Sequence, residues 1–290
     1  MENWKRKPSG RAIDRLTLHR SGEVVWLSFP ILDRFDFLLN GFSTRLGGVS
    51  EEDTGTMNLS FSREPDRGKV RENHERLAEA MGYRTENLVF SAQTHTDHIV
   101  EAGASDRGNG YLRENCFQDV DGMMTDEPEL VLMTFFADCV PLLIADPRRR
   151  AIAAVHSGWR GTVEGIGEKA VRKMAERYGS DPSDLVAAIG PSICQDCYEV
   201  SGDVICRFQE RYPEGLWPEL YREGRIAEDG ERRYQLNLQR ACAENFLRAG
   251  MLPENISLPD LCTCCNPQLL FSHRASGGKR GNLAAVLMLR

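Results

Sequence analysis

Cys139 and His156 are the two residues of this chain whose chemistry and surroundings first suggest a site. Cys139 follows the apolar run 130–137 and precedes a second at 141–145, and His156 ends a third at 151–155. All three runs are short, aliphatic or β-branched, and bounded by Pro, Asp or Gly, which favours buried strands over helices. The break Asp146-Pro147-Arg148-Arg149-Arg150 reads as a turn. If the flanking runs pair as a hairpin about it, position 141 falls opposite 156, and Cys139 and His156 meet at the open end. A thiol and an imidazole sharing one corner can ligate a metal ion or act as nucleophile and base. They can equally be a buried cysteine and a core histidine beside an ordinary turn.

Other residues join them as candidates. Ser157-Gly-Trp-Arg-Gly161 leads into an amphipathic pattern over 162–178, and a glycine-flanked helix start offers free N–H groups to an anion. The run 87–92 reads as a strand delivering Gln93-Thr94-His95-Thr96-Asp97-His98, a polar cluster at a strand end. Gln93 could orient a substrate hydroxyl or cap the strand. Arg45, in the glycine-bearing loop 44–50, and Arg274, in the basic glycine-rich loop 272–281, are candidate anion ligands, because a guanidinium fork suits phosphate. Asn58 and Ser60 belong to a polar segment too rich in turn residues for core. His74 lies on the apolar face of a helix expected from Asp66 to Met81, where a packed core histidine is the simpler expectation. Asp119-Val-Asp-Gly122 lacks the ligand spacing of a calcium loop and reads as a turn. Cys194 and Cys197 have C-x-x-C spacing, but with no partner pair evident they are expected to be structural thiols. Cys262, Cys264 and Cys265 crowd three thiols into four residues, too tight for one tetrahedral ion without another contributor.

Strands must carry these residues. Further strands are expected at 23–29, 36–43, 185–189 and 283–289, and helices at 203–212 and 238–249, with 213–232 a polar, variable excursion. No repeat is evident and strands outnumber helices in the first half, so the expected fold is α+β, a single domain of mixed β-sheets with flanking helices. Residues 1–20 read as a polar N-terminal segment and 21–290 as the catalytic domain. A chain of 290 residues that is 41% hydrophobic can bury a large core. Its net charge of −7, without any long basic stripe, argues against nucleic acid as a partner. The charged N-terminus lacks the apolar stretch of a signal peptide and no run has the length of a membrane span, so a cytoplasmic protein is expected. Nine cysteines without an export signal point to thiols or metal ligands rather than disulfides.

Ala137-Asp138-Cys139-Val140-Pro141 followed by His156-Ser157-Gly158-Trp159-Arg160-Gly161 resembles the signature of the family variously called YfiH-like, multicopper polyphenol oxidoreductase (laccase) or peptidoglycan editing factor. The resemblance extends to Gly41-Phe42-Ser43-Thr44-Arg45, Met57-Asn58-Leu59-Ser60, Gln93-Thr94-His95, Asp119-Val120-Asp121-Gly122, Gly190-Pro191-Ser192-Ile193, Cys197-Tyr198-Glu199-Val200 and Ser272-His273-Arg274. It implies a zinc site of His95, Cys139 and His156. It also implies phosphorolysis of purine nucleosides (adenosine, inosine, guanosine and methylthioadenosine) to free base and ribose 1-phosphate, with adenosine deamination alongside. The substrates would be nucleoside and phosphate, and the protein a monomer or small homo-oligomer. Many members carry Gly-Arg where this chain has Gly281-Asn282, with Arg280 two positions earlier.

One thiolate and two imidazoles leave a fourth zinc position open for water or substrate, and water so activated could attack C6 of adenine. The usual nucleobase-deaminase signature is absent. Phosphorolysis requires an anion pocket, for which Arg45, Asn58, Arg274 and the helix start before Thr162 are the candidates. It also requires an acid or hydrogen bond for the departing purine, a role given to Asp138, which may instead orient a ligand histidine. The competing readings are a Cys139–His156 hydrolase acting on an amide or ester, editing of peptidoglycan precursors, and copper-dependent phenol oxidation. Six histidines are too few for a multicopper centre.

Overall fold

The computed structural model describes residues 4–7 and 13–290. Alternation along the apolar runs explains the architecture. Leu142, Ile144, Ala151, Ala153 and Val155 pack into one core, whereas their neighbours Leu143, Ala145, Ile152 and Ala154 pack into another. In the last strand, Leu283, Ala285, Leu287 and Leu289 likewise face the second core and Ala284, Val286 and Met288 a third. With a side-chain period of two, a strand buried on both faces must read as an unbroken apolar run. Two sheets therefore lie face to face and each has helices on its outer side.

The larger sheet has seven strands in the order Ile13–Asp14, Ile256–Pro259, Val186–Ile189, Val140–Asp146, Ala151–Ser157, Gly122–Thr125 and Ile99–Glu101. The second has six, in the order Thr17–Ser21, Val24–Ser28, Leu38–Ser43, Leu283–Leu289, Val131–Phe136 and Leu88–Phe90. Parallel and antiparallel pairs occur in both, as expected of mixed sheets. Helices Ile166–Tyr178, Gly202–Arg211 and Leu238–Arg248 cover the larger sheet. Helix Arg67–Met81 covers the smaller, with Asp66 accepting from the Gly68 and Lys69 amides as its N-cap and Gly82 ending it in the left-handed conformation. Between the sheets, Phe42 and Phe136 pack with ring centroids 5.9 Å apart, and full burial of each such ring is worth about 1.5–3 kcal/mol. The result is an α+β fold of mixed sheets with flanking helices, joined through one shared core.

Three expectations need correction. The helix expected over 162–178 is two, Trp159–Val163 and Ile166–Tyr178, separated by Gly165 at φ 78°. The polar excursion 213–232, for which no element was expected, holds regular structure. It contributes Tyr221–Ile226 to a small sheet with Arg232–Leu236 and Glu199–Val200. Of the polar segment 1–20, residues 1–3 and 8–12 lie outside the described residues, but Thr17–Ser21 is the outer strand of the six-stranded sheet and Leu16 is buried. Among the described residues no helix is long and apolar enough to cross a membrane.

Candidate active site

Among the described residues five stretches of chain cross from one sheet to the other, and three of them carry most of the chemistry. Residues 91–98 link Leu88–Phe90 to Ile99–Glu101, residues 137–139 link Val131–Phe136 to Val140–Asp146, and residues 260–282 link Ile256–Pro259 to Leu283–Leu289. A crossing chain must turn sharply. His95 and Asp138 do so at φ 68° and 92°, a left-handed region that costs a non-glycine residue about 1–3 kcal/mol and tends to be retained where function needs it.

The hairpin forms in the expected register, with His156 paired to Pro141. Cys139 and His156 thus meet, and the 91–98 crossing brings His95 to the same corner. Cys139 Sγ lies 3.8 Å from His95 Nε2, and one donor atom from each of the three residues lies within 4.8 Å of the others. The two imidazoles sit edge to face with centroids 4.9 Å apart, and Phe136 packs against His156.

Asp121, read from sequence as part of a turn, organises this corner. It is fully buried, and its Oδ1 faces His156 Nδ1 at 2.7 Å. The same carboxylate accepts from the amides of Thr94, His95 and Thr96 and from the Thr96 hydroxyl. One side chain therefore sets both the tautomer of His156 and the backbone that presents His95. With Nδ1–H donated to Asp121, loss of the Nε2 proton leaves a lone pair aimed at the corner for a metal, as is usual for ligand histidines. The donor chemistry and its support fit zinc. Burial alone would raise the Cys139 pKa, but the charge and hydrogen bond of His156, with His95 assisting, bring the thiol down to about 6. Burial opposes charge on His156 as well, and Cys139 and Asp121 overcome it and lift the imidazole to about 9. Thiolate is the form that ligates metal or attacks as a nucleophile.

Beside the corner opens a cavity of about 820 Å³, within the range of small-molecule sites. Arg63, Arg160, Arg274 and Arg280 line it, with Asp138 its one acidic residue. Burial, reinforced by the nearby Arg63 charge, lowers the Arg280 pKa to about 10. Arg280 Nε and Asn282 Oδ1 are both buried without a partner among the described residues. Phe61, Phe135, Trp159 and Tyr198 supply aromatic wall. Asp138 is held on both oxygens: Oδ1 accepts from the Thr263 hydroxyl at 2.6 Å and Oδ2 from the Arg274 amide at 2.7 Å. It does not touch a ligand histidine; Asp121 has that task. The Arg274 guanidinium donates to the carbonyls of Cys197 and Glu199 while lining the cavity.

Other candidates lie elsewhere. Arg45 is absent from the cavity wall. It donates to the carbonyls of Gly55 and Pro267 and stacks on Phe271. Asn58 is fully buried and joins its own loop to the last crossing by accepting from the Ser60 and Asn282 amides. Both brace the loops behind the site. Gln93 spends its amide on the backbone of Phe135, His98 is exposed, and His74 is a core residue whose Nε2 donates to the Leu59 carbonyl at 2.8 Å. The expected helix start before Thr162 begins earlier, at Trp159, and places Trp159 and Arg160 on the cavity wall. Arg63, Arg160 and Arg280 were not singled out from sequence as site residues. The only signal was their position in or beside motifs of the family pattern.

Residues 39–290 match the family described as "Multi-copper polyphenol oxidoreductase laccase". The Bacillus subtilis protein named purine nucleoside phosphorylase YlmD is 32% identical over 255 residues, covering 87% of this chain and 89% of its own. The crystal structure of the Bacillus licheniformis hypothetical protein YfiH superposes with a TM-score of 0.85 at 30% identity, covering 94% of this chain and 99% of that one. YlmD of Geobacillus stearothermophilus superposes with a TM-score of 0.80 at 32% identity, covering 94% and 98%. Matched in sequence across both sheets and in fold along nearly its whole length, this chain belongs to the laccase-like family of multi-copper polyphenol oxidoreductases that includes YfiH.

Proposed function

We propose that the protein is a zinc-dependent purine nucleoside phosphorylase with adenosine deamination as a side activity. The observation that carries this reading is the cavity itself, where a Cys–His–His donor set faces an arginine-rich wall in a chain of net charge −7. Relatives named purine nucleoside phosphorylase at about one third identity support it. His95, Cys139 and His156 hold the zinc. No methionine lines the cavity to serve as the long axial ligand of a blue-copper centre. When bound, zinc supplies a Lewis acid that polarises an oxygen ligand and lowers the pKa of water.

The chain's own residues do the rest. Arg63 and Arg280 form no ion pair with any described residue and hold the phosphate dianion, with Arg274 fixing the near edge. In water-poor surroundings such guanidinium forks bind and orient phosphate strongly. Phe61, Phe135, Trp159 and Tyr198 receive the planar purine. Asp138, immobilised by Thr263 and the Arg274 amide, accepts from a ribose hydroxyl with its remaining lone pairs. An oxygen of hydrogen phosphate then bonds to C1′ as the C1′–N9 bond breaks, and the proton that the phosphate gives up leaves on the purine. Adenosine, inosine, guanosine and methylthioadenosine share the parts this site would recognise.

Purified protein incubated with adenosine, with and without phosphate, tests the reading by chromatography of adenine, inosine and hypoxanthine. Adenine should appear only with phosphate, and inosine in either case. Equal adenine release in phosphate-free buffer would replace phosphorolysis by hydrolysis. The succession Asp121, His156, Cys139 also favours a second reading, a thiol hydrolase. Hydrolysis of amides or esters by chelator-treated protein, abolished by iodoacetamide, would establish it in place of the first.

A further inference from the structure

Cys194, Cys197, Cys262 and Cys265 lie away from the Cys–His–His corner, yet their four sulfurs are all within 4.8 Å of one another. We propose that they bind a second zinc ion as a closed tetrathiolate site. The spacing is two C-x-x-C pairs, the second of which escapes notice because Cys264 interrupts it. Each pair lies on a tight turn, one after strand Val186–Ile189 and the other after Ile256–Pro259. A bridge between Ser192 and Cys262 and the Thr263 amide donating to the Ser192 carbonyl bring the turns side by side.

The distances identify the chemistry. Cys265 Sγ is 3.9 Å from Cys194 Sγ and 3.5 Å from Cys197 Sγ. Sulfurs bonded about 2.3 Å from one central zinc occupy tetrahedral corners about 3.8 Å apart. A disulfide would draw two of them to about 2.05 Å and leave the others; all nine cysteines are free. A polynuclear iron–sulfur cluster fills the centre of its cage and holds its thiolates wider apart than this. The backbone is also arranged for negative sulfur: the amides of Cys194 and Cys265 donate to Cys262 Sγ at 3.2 and 3.4 Å. Four protein ligands leave no open position, so the ion is structural rather than catalytic.

Its purpose follows from what the two turns touch. Thr263, inside the second turn, holds Asp138, and the carbonyl of Cys197, at the end of the first, receives the Arg274 guanidinium. The zinc clips the two turns together and so fixes one wall of the cavity. It acts on Asp138 and Arg274 as a positioning element.

Metal analysis decides the matter without relying on activity. Protein from zinc-supplemented culture should carry two zinc ions per chain, and a Cys139→Ser/His156→Ala variant should retain one. Reconstituting that variant with cobalt(II) should give the intense visible d–d bands and near-ultraviolet sulfur charge transfer of a tetrathiolate. Adding Cys262→Ser/Cys265→Ser to that variant should abolish both signals. If the latter variant does not fold, the variant at the other site still gives the answer. No zinc in Cys139→Ser/His156→Ala, with these four thiols reacting at once with a thiol reagent, would overturn the site, as would a disulfide among them in a peptide digest. Iron in place of zinc would overturn the assignment of the metal. A single ion in the wild type that survives in Cys139→Ser/His156→Ala would support this site while removing zinc from the other.

Discussion

Replacing one oxygen of Asp121 by an amide nitrogen asks how far the metal corner depends on a residue that touches no substrate. Its carboxylate receives His156 Nδ1 and three consecutive backbone amides. Asp121→Asn keeps the volume but turns one acceptor into a donor against those N–H groups. Zinc affinity should fall by about 10–100-fold, read by competition with a chromophoric chelator, with the circular dichroism unchanged. Asp138→Asn meets Thr263 and the Arg274 amide instead. It should leave zinc affinity close to wild type and raise the KM for nucleoside.

A second residue ties stability to pH. His74 is fully buried among Phe61, Phe90, Tyr111 and Phe135, and burial lowers its pKa from 6.5 to about 4. The folded ring stays neutral where the unfolded ring takes up a proton. Stability from this group is therefore complete above about pH 6.5 and is lost as pH falls from there through about 4. At about 1.4 kcal/mol per pH unit the loss reaches about 3 kcal/mol. Urea unfolding between pH 7 and 4 should show this decline, and His74→Gln should flatten it. An equal slope in both proteins would assign the acid sensitivity elsewhere.

At the scale of elements, Gly158 shows how tightly the hairpin end is built. A Cβ there would lie 2.7 Å from His95 Cδ2 and 3.4 Å from Cys139 Sγ. Gly158→Ala should force the His95 ring aside, lowering metal content at this corner while the unfolding temperature of the metal-free protein moves little, since the clash falls on an exposed side chain. Unchanged zinc content would mean that the ring can yield without leaving the metal. The hairpin was legible in the sequence because strand periodicity and a Pro-containing turn are local signals, and they carried Cys139 and His156 with them. The arginine wall of the cavity was not. Whether an arginine faces a cavity depends on acceptors far along the chain, and the carbonyls of Gly55 and Pro267 that engage Arg45 have no sequence signature. Asp121 was hidden for the same reason, since a buried carboxylate that gathers amides is written like any Asp-Gly turn. The Cys262/Cys265 pair was obscured by the third thiol between them, and its partners are 68 residues upstream.

At the scale of the whole molecule, the crossings 91–98 and 137–139 meet at the metal corner, so a bound ion ties the six-stranded sheet to the seven-stranded one. Chelator should therefore lower the unfolding temperature by an amount that grows with zinc affinity, as expected of any ligand that binds only the native state. Differential scanning calorimetry of the wild type and of Cys139→Ser/His156→Ala, each with and without chelator, isolates this ion's share, and equal shifts in the two would separate the corner metal from the fold. The crossings have another outcome, for inheritance rather than for stability. Because the ligands hang from two independent sheets, their spacing reports how one sheet sits upon the other. A substitution buried between them, such as an enlarged side chain at Ala154 or Ala285, would slide the sheets and detune the corner without approaching it. Random mutagenesis scored for lost activity should therefore recover folded, soluble variants in that middle layer as well as along the cavity wall.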